Sequence, residues 1–276
     1  MNTKPSGWAR TRQRLFLACL LLVGLSGLFA CASKPAGSGA VGGEIVTASD
    51  EPEARRRARL RLELAVAYFE EGKTTVALDE LKQSIAADPA YSEAYNLRGL
   101  IYMRLNDYRF AEESFMKALS LRANDANVMH NLAWLLCQQT RYEQAQQLFS
   151  RALADPNYGQ QAKTWRSQGL CQMRAGRSEE AQRSLLKSYE FDPGNPVTAY
   201  NLATLLFQGG DFVRAQFYVR RLNNTELANA ESLWLGVKVE RRMENREAML
   251  QLAAQLLKRF AQSREAASYQ RGAFDD

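Results

Sequence analysis

A small residue returns along this chain at Ala65, Gly99, Ala133, Gly169, Ala203 and Gly236, at intervals of 34, 34, 36, 34 and 33. A second follows each of them twelve positions later, at Ala77, Ala111, Ala145, Ala181, Ala215 and Ala248, so two anchors keep one step. Large apolar residues keep it as well. Tyr68, Tyr102, Leu136 and Leu206 fall three after the first anchor, and Leu81, Phe115, Phe149, Leu185, Val219 and Leu252 fall four after the second. A period in the thirties leaves few folds open, because each unit is one supersecondary element that must stack on its neighbours to bury its apolar face. Small residues at a fixed step mark close helix crossings, and the large residue fills the space beside them. Pro89 and Pro193 stand where a unit's second helix must stop.

The pattern resembles the tetratricopeptide repeat, a helix-turn-helix unit, and is best kept in "AYNLRGLIYMRLNDYRFAEESFMKAL" (94–119) and "VMHNLAWLLCQQTRYEQAQQLFSRAL" (128–153). Three departures stand out: Gln172 takes the aromatic slot of the fourth repeat, two extra residues near "PNYGQQ" separate repeats three and four, and the sixth repeat is degenerate. The resemblance implies an all-α fold, a right-handed α-solenoid of about six repeats over 55–262. The units lie near 58–91, 92–125, 126–161, 162–195, 196–228 and 229–262, with 263–276 as a C-terminal tail.

Family geometry places the first helices on a concave wall. The expected partner-binding groove is Leu62, Val66 and Phe69 in repeat one, Asn96, Leu100 and Met103 in repeat two, and His130 and Trp134 in repeat three. Arg166 and Met173 continue it in repeat four, Tyr200 and Phe207 in repeat five. Aromatic residues, Met and Arg are the types enriched where partners bind. In repeat one Leu64, Ala65, Tyr68, Ala77 and Leu81 are expected to supply the core, leaving the Leu62, Val66 and Phe69 stripe without an internal partner.

Ahead of the repeats, Leu15 to Ala30 is an apolar run of 16 residues, shorter than the roughly 20 that span a bilayer. Lys4, Arg10, Arg12 and Arg14 precede it with no acid among them, which is the n-region of an export signal over 1–30. Leu28, Phe29, Ala30 and Cys31 resemble a lipobox, with Phe29 where a small or β-branched residue is usual; the resemblance makes Cys31 the lipidated residue. A thiol suits that role because its thiolate is the strong nucleophile among side chains. Residues 31–54, rich in Gly, Ser and Ala, read as a flexible tether reaching about 25 Å.

Losing the signal removes four basic residues from a formal charge of +6, and no basic stripe interleaved with aromatics remains, so no nucleic acid is expected as a partner. Cys137 and Cys171 sit at non-equivalent positions on neighbouring first helices. Taken as about 10 Å apart, they lie beyond the roughly 7 Å Cα limit for a disulfide and are expected to be free, buried thiols.

The chain is expected not to be an enzyme. Its one histidine, His130, excludes paired-His metal chemistry, and no Gly-rich phosphate loop is present. Glu112 with Glu113 and Glu179 with Glu180 read as solvated faces of second helices. No metal, cofactor or small-molecule substrate is expected, and His130 is expected to hydrogen-bond in the groove.

Signal, lipobox, tether and six repeats together resemble the PilF/PilW pilotin lipoproteins of type IV pilus biogenesis. "SLRANDANVMHNLAWLLCQQTRYEQA" and "ESLWLGVKVERRMENREA" resemble that family's third and sixth repeats. The resemblance implies a lipid-anchored protein on the periplasmic face of the outer membrane that binds the secretin subunit and promotes its assembly. Ala32 after the lipidated cysteine fits release to the outer membrane. Two other readings share the architecture: a component of the β-barrel assembly machinery, and a scaffold or regulator of cell-wall enzymes.

Overall fold

A computed structural model describes residues 50–274, among which there are thirteen helices and no strand. They run as pairs: α1 Glu53–Glu70 with α2 Thr74–Ala87, α3 Ser92–Arg104 with α4 Tyr108–Leu121, and α5 Ala126–Gln138 with α6 Tyr142–Leu153. Then come α7 Gln161–Arg174 with α8 Ser178–Phe191, α9 Pro196–Gln208 with α10 Phe212–Asn223, α11 Ala230–Arg242 with α12 Arg246–Arg259, and a last helix, α13 Arg264–Arg271. Each helix packs on its pair partner and on the next pair, giving an all-α tetratricopeptide solenoid. The proposed signal, Cys31 and most of the tether lie outside the described residues.

Every pair is closed by the same turn. The residue after the cap of the first helix adopts positive φ: Gly72, Asn106, Thr140, Gly176, Gly210 and Glu244. The next residue's N–H then reaches back to the helix, as in Asp107 to the Tyr102 carbonyl, Arg141 to Leu136 and Asp211 to Leu206, which is the Schellman pattern. That same residue begins the second helix, and Asp107, Asp211 and Asn245 cap it by accepting from Phe110, Arg214 and Ala248 N–H. One short segment thus ends one helix and starts the next.

Close approach explains the small anchors. A Cβ on Gly99 would lie 2.4 Å from the Phe115 ring, and one on Gly169 would lie 2.8 Å from Leu185. Ala65, Ala77, Ala111, Ala133, Ala145, Ala181, Ala203 and Ala215 are fully buried, with Leu81, Phe115, Phe149, Leu185 and Val219 beside them. Interiors this dense leave no volume for a larger residue at the crossing.

Four expectations about the fold itself are corrected. Leu64 is 45% exposed instead of core, because no described helix precedes α1 to cover the face that Leu132 and Leu202 bury in later repeats. The segment expected as a tail holds α13, begun by Ser263, which accepts from Ala266 N–H, and packed through Ala266 onto Leu233, Trp234 and Leu256. Cys137 and Cys171 form a disulfide with Cα atoms 5.8 Å apart. The spacing of about 10 Å belongs to helix axes; backbones of radius about 2.3 Å bring facing Cα atoms to within bonding range.

The fourth correction concerns the sixth repeat, whose step from the fifth is 34 and not 33. Helix starts Pro196 and Ala230, caps Asp211 and Asn245, and turns Gly210 and Glu244 all keep 34. On that step Val237, Ala253 and Leu256 are the buried counterparts of Ala203, Val219 and Leu222, while Ala248 and Leu252 are only half-buried. Gly236 and Ala248 imitated the anchors one residue early. The same step puts Glu240, fully buried, where repeat five has Leu206. Arg220 grips it from Nε and Nη2 at 2.6 and 2.9 Å, and Gln216 Nε2 donates to it at 2.9 Å.

Candidate partner-binding groove

At the N-terminal end, Leu62 and Phe69 lean on the buried cluster of Ala58, Ala65, Ala77 and Leu81, so that stripe does have an internal partner. Val66, between them, stays 37% exposed. The Phe69 ring is covered by the Arg104 guanidinium at 5.2 Å, whose Nη1 also donates to the Phe69 carbonyl at 3.1 Å. A cation from the next first helix therefore caps an aromatic ring.

In the middle repeats the wall becomes amides. Asn131 Nδ2 donates to Asn96 Oδ1 at 3.0 Å, linking α3 to α5. Leu100 and Met103 are half-buried against the central core, and Trp134 carries the Arg174 guanidinium at 5.0 Å. His130 departs from expectation. Only 4% exposed, it offers nothing to a groove partner: its Nδ1 is hydrogen-bonded to Thr164 Oγ1 at 2.8 Å, and its ring meets Phe149 edge-on at 5.9 Å. Burial, aided by the charges of Lys163 and Arg166, pushes its pKa down to about 3, so it is a neutral core residue. Its place on the outer count of the helix was right for repeats whose neighbour does not reach over; here α7 does.

Arg166 and Met173 are half-buried on α7, apart from the cavities on either side. Tyr200 and Phe207 are brought together with Thr204, Trp234 and Lys238 around a cavity of about 350 Å³ between α9, α11 and α13. The Lys238 ammonium lies 5.7 Å from both the Phe207 and the Trp234 rings, and Glu231 and Glu265 complete the rim. Burial first, then those two carboxylates, raise the Tyr200 pKa. This cavity presents aromatic faces, one cation and two anions, which suits a peptide segment with apolar and charged side chains.

Sequence reasoning missed Trp234 and Lys238, although a strict step of 34 from Tyr200 and Thr204 lands on them. The capping cations Arg104 and Arg174 carried no signal, since a basic residue at a first helix's last turn is commonplace.

Models of the tetratricopeptide repeat family match residues 90–155 and 130–196. The chain is 25% identical over 257 residues to the type IV pilus assembly protein PilF of Pseudomonas aeruginosa, spanning 93% of this chain and 98% of that one. Among solved structures, that of Pseudomonas aeruginosa PilF superposes with a TM-score of 0.73 at 24% identity, covering 80% of this chain and all of that one. PilW, described as a widely conserved type IV pilus biogenesis factor, superposes with a TM-score of 0.69 at 27% identity, covering 77% of this chain and 98% of that one.

Proposed function

Because the chain belongs to the PilF/PilW-type tetratricopeptide repeat proteins, we propose that it acts in type IV pilus biogenesis as a non-enzymatic, protein-binding scaffold. In this reading it is a pilotin: lipidated on Cys31, held on the periplasmic face of the outer membrane, and binding the secretin subunit through the wall of its first helices. The observation that carries the reading is the end-to-end match, which extends beyond the generic repeat to nearly the whole of both chains. The groove supports it with an aromatic series, half-buried Phe69, Trp134 and Phe207 and buried Trp234, each ring near a cation from a first helix. Such surfaces combine anchoring area with orientation, as protein recognition sites do.

The test uses Val66→Glu with Lys238→Gln, one change at each end of the wall, neither inside a packed cluster and the second adding no carboxylate beside Glu231 and Glu265. Helicity and melting temperature should stay within about 2 °C of wild type, as for surface changes of under about 0.5 kcal/mol. Heat-resistant secretin oligomers and surface pili should fall sharply. Wild-type levels of both from a folded variant would remove this wall as the secretin site. Separately, Cys31→Ser should abolish labelling by palmitate, and release of the wild-type protein from membranes by salt alone would end the lipoprotein reading.

A further inference from the structure

A cleft of about 550 Å³ lies between α6, α7 and α8, and none of the groove residues lines it. Its origin is a pair of glutamines. On the repeat step, Gln168 and Gln172 stand where repeat three has Leu132 and Leu136 and repeat five has Leu202 and Leu206. Gln172 is fully engaged: its Nε2 donates to Gln146 Oε1 at 3.1 Å, and its Oε1 accepts from Ser184 Oγ at 2.7 Å. Gln168 is not. It is 4% exposed, and its Oε1 has no hydrogen-bond partner. An acceptor withdrawn from water without a donor forfeits its hydration with nothing in return; of the four such side-chain atoms among the described residues, this is the one whose residue lines the cleft.

The sixth repeat shows what a purely structural solution is. There the same two steps carry Gly236 and Glu240, and Glu240 is closed by Arg220 and by Gln216, the counterpart of Gln146. Repeat four has no such closure, and its cleft stays open beside Trp165 and Leu186.

We propose that the cleft of repeat four binds an acetamido sugar. The terminal amide of Gln168 turns about its soft last torsion to present Oε1, which accepts from the acetamido N–H. The C–H face of the pyranose lies against Trp165, the acetyl methyl against Leu186, and ring hydroxyls meet Arg183 and Glu180 on the rim. The ligand is neutral, because the rim charges are of both signs and Lys187 is already paired with Glu190 at 2.7 Å. It is compact, because the volume suits one or two rings. Strand addition by a peptide is excluded, because the walls are helices whose main-chain groups pair within themselves and no strand edge is offered. This site is independent of the secretin-binding groove and stands or falls without it.

Saturation-transfer NMR and calorimetry on the full chain would use three probes: tri-N-acetylchitotriose, cellotriose, which lacks the acetamido group, and an alanine tripeptide capped at both ends. The chitotriose should bind in the millimolar range or tighter, and cellotriose about tenfold more weakly or worse. Gln168→Leu should lose about tenfold or more in chitotriose affinity while melting no lower than wild type. Arg183→Ala, a rim change, should weaken binding without altering the melt. No binding of chitotriose at millimolar concentration, equal binding of cellotriose, tighter binding of the tripeptide, or full affinity in a folded Gln168→Leu protein would each overturn the proposal.

Discussion

Repeats four and six both bury a polar side chain where their neighbours carry tyrosine or leucine, yet only in repeat six does the preceding repeat pair it completely. Glu240 receives three hydrogen bonds from Arg220 and Gln216, both on α10 of the preceding repeat. In repeat four the neighbour supplies Gln146, enough for Gln172 and nothing for Gln168. Repeat four is also the one fastened to its predecessor covalently, through Cys137 and Cys171. A polar crossing therefore has two outcomes in one solenoid: closed by an ion pair from the preceding repeat, or left open and held by a clasp.

The largest expected effect breaks the clasp. The disulfide closes a loop of 34 residues, for which chain entropy alone gives about 3 to 4 kcal/mol. Cys137→Ser with Cys171→Ser should lower the urea midpoint accordingly, and dithiothreitol should do the same to wild type. A loss under about 1 kcal/mol would mean that non-covalent contacts hold repeat four as well as they hold repeat six.

Next in size is the opposite cut. Arg220→Ala should cost about 3 kcal/mol, because it leaves a buried carboxylate with Gln216 alone. Glu240→Leu joined to Arg220→Met should recover most of that loss, since a well-packed apolar pair replaces a desolvated ionic one. If the single variant melts like wild type, the closure of repeat six is not what distinguishes it.

A smaller effect appears as pH falls, at the junction of repeats three and four. His130 has its folded pKa lowered to about 3 from an ordinary 6.5, so the unfolded chain takes up a proton that the folded one refuses. The stability this histidine confers is whole above pH 6.5 and is lost progressively towards pH 3. Between pH 7 and 5 wild type should lose about 2 kcal/mol more than His130→Phe, measured by denaturant titration at each pH. Parallel losses in the two proteins would mean that the ring gains a charge partner on protonation. Smallest of all, Gln168→Leu should gain up to about 1 kcal/mol by removing an unpaired acceptor, where Gln172→Leu should lose about as much by stranding Ser184 and Gln146.

Most of the fold was legible because close helix crossings admit only small residues, and five repeats obey that rule at both anchors. The sixth misled because Gly236 is small for a reason of its own, since a Cβ there would meet Asn223 at 2.7 Å, and half-buried Ala248 falls twelve residues after it. The turn residues with positive φ carry a truer register, but Thr140 and Glu244 hide it, since neither is the glycine or asparagine that such a turn prefers. The disulfide was missed by taking an axis spacing for an atom spacing. The groove was the least legible part. Position on a helix tells which way a side chain points, but not whether the next helix reaches over it, as α7 does over His130 and as nothing described does over Leu64.

The covalent bond between α5 and α7 has a mechanical corollary. A chain drawn out from its two ends under load pays out every unfolded residue except those enclosed by a cross-link. Here the bond short-circuits the span of 34 residues from Cys137 to Cys171, which takes in the whole of α6. On the order of 110 Å of contour is thereby withheld from the stretched length until the bond is reduced. Pulled from its two ends, the chain would extend in two instalments, the second available only to a reductant.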